Sequence, residues 1–463
     1  MAATSTTTLR GTLFQEGRPC GVTLGYASNV SVYVALGASP PEPPRQFDAL
    51  DVEVDSQTFR FSRCRLEPDA PEGFTGRLVF LDDVYDFRAL FREKRFVDIK
   101  RSFHNLPLFL QQRERIQPAF REYTANTTFD LSVYKRFFSE QDRLCALEAP
   151  VVRDAAQRAI IRAEGPAFVR FLDQSLESLK EVTAGFDKED HERHGFYFRR
   201  HVWEFILGSA FLARTNLKPR GYAGDSQMMQ MIYENAYQGT TVFNRLLHKH
   251  PLDSAAAQAV RNRRALIAGL LRQVQERFPQ RGDEPFRFMS VACGPAWELR
   301  DVVLVARDVH RLECTLLDQD PMALAAAREG IRELERMGAF QLRVNVVNES
   351  VRTMLKTPNL RDLWGRFRFI YSMGLFDYLT PPVARTVLAR LYELLEPGGT
   401  LVVGNFHVGN PTRLYMEYWM DWVLYYRTEQ EFLALTEGLP GADARITFEE
   451  TGAQMFLQVT RRE

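Results

Sequence analysis

The run Phe288-Met289-Ser290-Val291-Ala292-Cys293-Gly294-Pro295-Ala296-Trp297-Glu298 joins an apolar strand pattern to small residues and then to a helix start. Small residues at such a turn let the backbone come close to a ligand, and the helix behind them aims free N–H groups at the same place. Those amides can hold an anionic group, a carboxylate as readily as a phosphate. Ala292, Cys293, Gly294 and Pro295 are therefore the first candidate ligand contacts. Ala292 and Ala296 stand where a full dinucleotide fingerprint would carry glycine, so a plain strand-to-helix turn is the competing reading of this run alone.

A second signal follows about twenty residues on, the interval expected of a ribose-binding acid. Thr315-Leu316-Leu317-Asp318-Gln319-Asp320 is a short strand ending in acids. An ionised carboxylate only accepts, and Asp318 could take both hydroxyls of a ribose. Asp320, which precedes Pro321, suits a helix N-cap better. Gln319 is a neighbouring candidate. The next strand ends in Asn348-Glu349-Ser350, where polar groups could meet a nucleobase edge. The one after ends in Ser372-Met373-Gly374, which could cover the base and open the acceptor side.

These residues need a frame. From Phe286 onward strand and helix patterns alternate, with strands expected at 288–293, 315–317, 342–347, 369–373 and 400–403. Such alternation indicates a parallel sheet covered by helices. Residues 87–280 carry helical periodicity, with breaks expected at Gly165-Pro166, Pro219 to Gly224 and Pro251. Residues 280–285 have linker composition. Residues 1–86 hold short β-rich runs, among them the alternating Asp51-Val52-Glu53-Val54, and are expected to form a small barrel or sandwich. Three domains follow: 1–86, 87–280 and 281–463.

Bulk properties narrow the function. The 463 residues carry 59 basic and 59 acidic side chains, a balance that argues against a dedicated nucleic-acid partner. Five scattered cysteines without a CxxC pair suggest a reducing compartment and no zinc ribbon. The N-terminus lacks a signal-peptide pattern, no apolar run is long enough to cross a bilayer, and a cytoplasmic location is expected. His191-Glu192-Arg193-His194 is one residue short of H-E-x-x-H, so no metal site is assigned. Neither a G-x-S-x-G elbow nor a Walker-type loop occurs.

In order and spacing, the strand-turn run, Asp318, the Asn348-Glu349 and Ser372-Met373-Gly374 strand ends and the Pro397-Gly398-Gly399 lead-in to a fifth strand resemble the class I S-adenosylmethionine-dependent methyltransferases. The resemblance implies a Rossmann-like α/β methyltransferase domain, S-adenosyl-L-methionine as cofactor and O- or N-methyl transfer. A nicotinamide dehydrogenase is the nearest competitor, but it needs the full glycine fingerprint.

Two further stretches resemble bacterial proteins of extracellular-factor 3-hydroxypalmitic acid methyl ester biosynthesis. One is Lys218-Pro219-Arg220-Gly221-Tyr222-Ala223-Gly224-Asp225. The other is Asn405-Phe406-His407, which opens an aromatic segment of Tyr415, Tyr418, Trp419, Trp422, Tyr425 and Tyr426. The resemblance implies a small-molecule acceptor, with the carboxylate of a hydroxy fatty acid as one candidate. Arg220 or Lys218 could clamp a carboxylate, and Tyr222 or Asp225 could reach the nucleotide or acceptor. For an amine or hydroxyl acceptor, His407 or Tyr222 could act as the base, and His407 could instead be only a hydrogen-bonding strut. The plainer readings are a helix capped by Asp225, with Arg220 at the surface, and an aromatic core.

Ala27 to Val34 resembles the Asn-x-Ser-x-x-Gly strand of PilZ domains, with Val34 in place of the glycine and no Arg-x-x-x-Arg before it. A degenerate PilZ-like barrel without cyclic di-GMP is expected, used for docking or for a homodimer. The alternative to an enzyme is a catalytically silent cofactor-binding regulatory or scaffold protein.

Overall fold

The computed structural model describes residues 8–28, 31–36, 46–54, 57–68, 70, 74–81, 87, 91, 115–278, 284–305, 309–338 and 340–462. Asn29 and Val30 of the PilZ-resembling segment, the Pro-rich stretch 39–45, residues 92–114 of the expected helical region and residues 280–283 of the expected linker lie outside them. The chain divides into two compact units, Met1–Arg115 and Ile116–Glu463.

The first unit is one antiparallel sheet of β1 (Thr8–Gln15), β2 (Arg18–Ser28), β3 (Ser31–Leu36), β4 (Gln46–Phe47), β5 (Ala49–Val54), β6 (Gln57–Phe61), β7 (Cys64–Glu67) and β8 (Gly76–Phe80). Its order is β4-β7-β8-β3-β2-β1-β5-β6. Alternation decides the faces: Val52 and Val54 are buried, while Asp51 and Glu53 lie on the other side.

The second unit begins with helices α1 (Pro118–Leu144), α2 (Pro150–Val182), α3 (Lys188–His201), α4 (Trp203–Ile206), α5 (Ala210–Leu217), α6 (Ser226–Glu234), α7 (Val242–Leu252) and α8 (Ala255–Arg277). One of the three expected breaks does not occur. Helix α2 runs through Pro166, which is exposed, so the carbonyl it strands can turn to water. Gly165 serves packing instead, since a Cβ there would meet Leu246 Cδ2 at 3.0 Å. The break at Pro251 falls one residue on: α7 ends at Leu252 and α8 starts at Ala255. The break at 219–224 is real and separates α5 from α6.

The sheet that follows comprises β9 (Phe286–Val291), β10 (Leu312–Leu317), β11 (Arg343–Val347), β12 (Phe367–Ser372), β13 (Leu395–Phe406), β14 (Ala442–Phe448) and β15 (Gln454–Arg461). Helices α9 (Glu298–Val305), α10 (Pro321–Gly338), α11 (Val351–Lys356), α12 (Leu360–Trp364), α13 (Pro381–Glu393), α14 (Arg413–Trp419) and α15 (Glu429–Leu433) lie between or after the strands. The order is β11-β10-β9-β12-β13-β15-β14. The first five strands are parallel, and β15 runs antiparallel to both of its neighbours. Strand β13 starts before the Pro-Gly-Gly element rather than after it. Gly399 is required there: a Cβ would lie 2.9 to 3.2 Å from three backbone carbonyls.

The order in which strands are added to the sheet reverses between β9 and β12, which remain parallel. In an open α/β sheet the crevice at that reversal, outside the C-terminal strand ends, is where ligands bind. The Ser372 hydroxyl donates to the Val291 carbonyl at 2.8 Å and ties the two strand ends together.

Candidate active site

The turn after β9 is wound tightly. Ala292, Gly294 and Ala296 all have positive φ, of 52°, 56° and 50°. Two alanines thus hold a left-handed backbone that glycine adopts at no steric cost. The Gly294 N–H donates to Asp318 Oδ2 at 2.8 Å, and the Asp320 N–H donates to Asp318 Oδ1 at 2.9 Å. Each carboxylate oxygen keeps a further lone pair. Asp318 is buried, and burial pushes its pKa up, partly offset by these amide donors. The Asn348 side chain donates to the Asp318 carbonyl at 2.9 Å, so the ends of β9, β10 and β11 form one hydrogen-bonded rim. A Cβ at Gly294 would meet nothing within 4 Å, which marks open space at the turn.

The segment between α5 and α6 is strapped onto this rim. Lys218, left-handed at φ 47°, pairs with Asp421 at 2.6 Å. Arg220 pairs with Asp320 and also donates to the Ser226 hydroxyl. The Tyr222 ring packs edge-on against Tyr378, with centroids 6.1 Å apart. Its phenol is pushed well above the ordinary range by burial first and by the nearby Asp318 and Asp320 carboxylates second. Gly224 lies against Tyr378 and Trp422, whose indole donates to the Tyr378 hydroxyl at 2.9 Å. The strap therefore reaches from the acid after β10 to the loop after β12.

Several candidates are placed elsewhere. Asp225 is fully buried, caps α6 through the Gln227 and Met228 amides, and is held by Arg214 at 2.6 and 2.8 Å. Its carboxylate is turned to the helix and to Arg214. Gln319 is exposed, and Glu349 accepts from Thr353 at 2.6 Å. Cys293 is buried at the turn, with its thiol pushed up by burial. His407 accepts from the Gly409 N–H through Nδ1 at 3.1 Å, which leaves Nε2–H to donate to Glu429 at 3.1 Å. Its ring stands on Phe448 of β14. These contacts do not bring it together with Gly294, Asp318 or the strap. The aromatic segment divides: Tyr415, Tyr418, Trp419 and Trp422 are buried in the helical core, and Tyr425 is exposed.

Four residues without a sequence signal complete the crevice. Arg263 of α8 is buried and donates to the Met373 carbonyl at 3.2 Å. Tyr233 stacks on Trp297, with centroids 5.5 Å apart. Glu298, buried at the start of α9, accepts from the Tyr371 hydroxyl at 2.9 Å and is pushed up by burial. Asp377 is buried, accepts from the Phe406 N–H at 2.7 Å, and is pushed up to about 7 by burial. A charge pattern that depends on tertiary neighbours leaves no periodic trace. Only the charged or polar type of these residues at otherwise buried positions could have drawn notice.

A family model described as "Putative methyltransferase" matches residues 191–407, from α3 to the end of β13. No curated protein matches the chain. Among solved structures, a possible exported protein from Bordetella parapertussis is similar at 17% identity, with 60% of this chain and 90% of that chain covered and a TM-score of 0.39. Magnesium protoporphyrin IX methyltransferase from Synechocystis PCC 6803, with S-adenosylhomocysteine bound, is similar at 9% identity, 44% and 86% coverage and a TM-score of 0.34. The N-methyltransferase NodS from Bradyrhizobium japonicum WM9, with the same ligand, is similar at 14% identity, 46% and 90% coverage and a TM-score of 0.31. Five parallel strands whose order reverses between β9 and β12, with the antiparallel strand β15 inserted beside β13, give residues 286–461 a Rossmann-like α/β methyltransferase core.

Proposed function

We propose that the chain is an S-adenosylmethionine-dependent methyltransferase acting on a small-molecule acceptor. One observation carries the reading: the Gly294 amide and the Asp318 carboxylate meet at 2.8 Å on the rim where the strand order reverses. The surrounding residues suit the cofactor. Asp318 retains acceptor capacity for ribose hydroxyls, the turn is open at Gly294, and Asn348 and Ser372 fix the flanking strand ends.

When bound, the cofactor supplies a methyl group already activated by its sulfonium. The chain's part is to position and to exclude water. The strap from Lys218 to Gly224 serves the second task, since it is held to both sides of the crevice. Tyr222 stays protonated at neutral pH and acts as a hydrogen-bond donor, not as a base. His407 is read as a strut held between Gly409 and Glu429. An acceptor that needs no deprotonation fits this arrangement, and a carboxylate is such an acceptor. The hydroxy fatty acid suggested by the sequence resemblance is the proposed example. The N-terminal sheet is read as a docking or dimerisation module without cyclic di-GMP. Among the described residues, no helix is long and apolar enough to cross a membrane.

Calorimetry with S-adenosylhomocysteine tests the reading. The wild-type chain should bind, and Asp318→Ala should lose at least about tenfold in affinity, as expected when charge-assisted hydrogen bonds are removed. Equal affinity in the two proteins would sink the ribose assignment. Binding without turnover on any carboxylate acceptor would favour a silent regulatory or scaffold protein.

A further inference from the structure

Among the described residues, Arg263 is a buried cation at the crevice without a carboxylate partner and with a thioether among its few acceptors. Arg263 is 8% exposed. Its Nη1 donates to the Met373 carbonyl at 3.2 Å, and its Nη2 meets the Met229 thioether, a weak acceptor, at 3.3 Å. The Tyr233 hydroxyl also lies against it. The other cations of the region are taken. Arg220 pairs with Asp320, Lys218 with Asp421, Arg214 with Asp225 and Arg264 with Asp301. Arg427 is satisfied by the Phe376 and Leu379 carbonyls and the Asn405 side chain.

A buried charge without a counter-ion is costly. Two carboxyl groups influence Arg263 from a distance, but both are engaged elsewhere: Glu298 with Tyr371 and Ser290, Asp377 with the Phe406 amide. Burial raises the pKa of both, that of Asp377 to about 7, so Asp377 is not a full counter-charge at neutral pH. Space is present beside the guanidinium. A Cβ on Gly374 would have Arg263 Nη1, at 3.7 Å, as its only neighbour within 4 Å, and one on Gly294 would have none. Arg263 thus faces the opening between the two strand ends that Ser372 ties together.

We propose that Arg263 binds the α-carboxylate of the cofactor's amino-acid tail. This rests on the site being the S-adenosylmethionine site proposed above. The carboxylate would replace the Met229 thioether as the partner of the guanidinium, whose planar fork matches a carboxylate. The task that the sequence offered to Arg220 or Lys218 falls to a residue on α8, because tertiary neighbours already neutralise those two.

Two ligands separate the tail from the nucleoside. S-adenosylhomocysteine carries the amino-acid tail, and 5′-methylthioadenosine has the same nucleoside and thioether without it. Calorimetry on the full chain should show Arg263→Gln losing roughly 10- to 100-fold in affinity for S-adenosylhomocysteine while affinity for 5′-methylthioadenosine is unchanged. Arg263→Lys, which keeps the charge but not the fork, should fall between wild type and Gln, and it serves if the Gln variant does not fold. Unchanged S-adenosylhomocysteine binding, or an equal loss for both ligands, would overturn the assignment. Failure of wild type to bind either ligand would instead remove the site reading itself, and the assignment with it.

Discussion

Gly294 and Asp318, 24 residues apart, are joined by a 2.8 Å hydrogen bond from backbone amide to buried carboxylate. The carboxylate therefore has two tasks. It holds the turn after β9 against the end of β10, and it keeps lone pairs for a ligand.

Removing it should cost stability even without ligand. Asp318→Ala leaves the Gly294 and Asp320 amides without their acceptor, and a buried donor left unpaired costs about 1–3 kcal/mol. Urea unfolding of the ligand-free protein should show that loss. No change would mean that water replaces the carboxylate at the turn.

The alanines of the same turn predict the opposite sign. Ala292 is exposed and left-handed, so Ala292→Gly relieves backbone strain without loss of packing. A gain of about 0.5–1 kcal/mol is expected after the entropy glycine adds to the unfolded chain. Ala296, equally left-handed, is buried, and Ala296→Gly should gain less. Thermal denaturation of the two variants side by side checks the order.

The strap is tuned by Gly224. A Cβ there would lie 2.6 Å from the Tyr378 hydroxyl and 2.7 Å from the Trp422 ring. Gly224→Val should lift the strap from the rim and speed amide exchange across 218–225, at a cost of about 1–3 kcal/mol. Protection that matches wild type would show that the contact does not hold the strap.

Asp377 should make stability depend on pH. Its folded pKa of about 7 lies above the unfolded value of 3.8, because burial disfavours its charged form. The folded state then holds a proton that the unfolded state has lost. Stability is greatest below the unfolded value and falls as pH rises toward 7, with a slope of at most about 1.4 kcal/mol per pH unit. Glu298, also raised by burial, acts in the same direction. Asp377→Asn keeps an acceptor for the Phe406 amide and should flatten the fall between pH 5 and 7. An unaltered slope in chemical denaturation would assign the dependence to other groups.

His407→Ala should leave S-adenosylhomocysteine affinity unchanged and lower the melting temperature slightly, through loss of the Gly409 and Glu429 contacts. A large fall in kcat at an unchanged melting temperature would restore His407 as a base.

The chain's own order of residues was sufficient for the parallel strands, the turn at Gly294, the acid at Asp318 and the interruption at 219–224. Those features follow from local rules: burial sets the period of a strand or helix, and small residues permit a tight turn. The sequence also offered both readings of Asp225 and of the aromatic segment, and tertiary packing selected the helix cap for one and the core for most of the other. Helix α2 runs on through Pro166 because that residue is exposed, a condition the local sequence does not contain. The partners of the charged groups were settled by the tertiary structure alone. Arg220 finds Asp320 across 100 positions, and Arg263 meets the carbonyl of Met373 across 110. Which cation is neutralised and which is left to face the crevice depends on contacts between distant segments, and electrostatics between distant segments carries no sequence period.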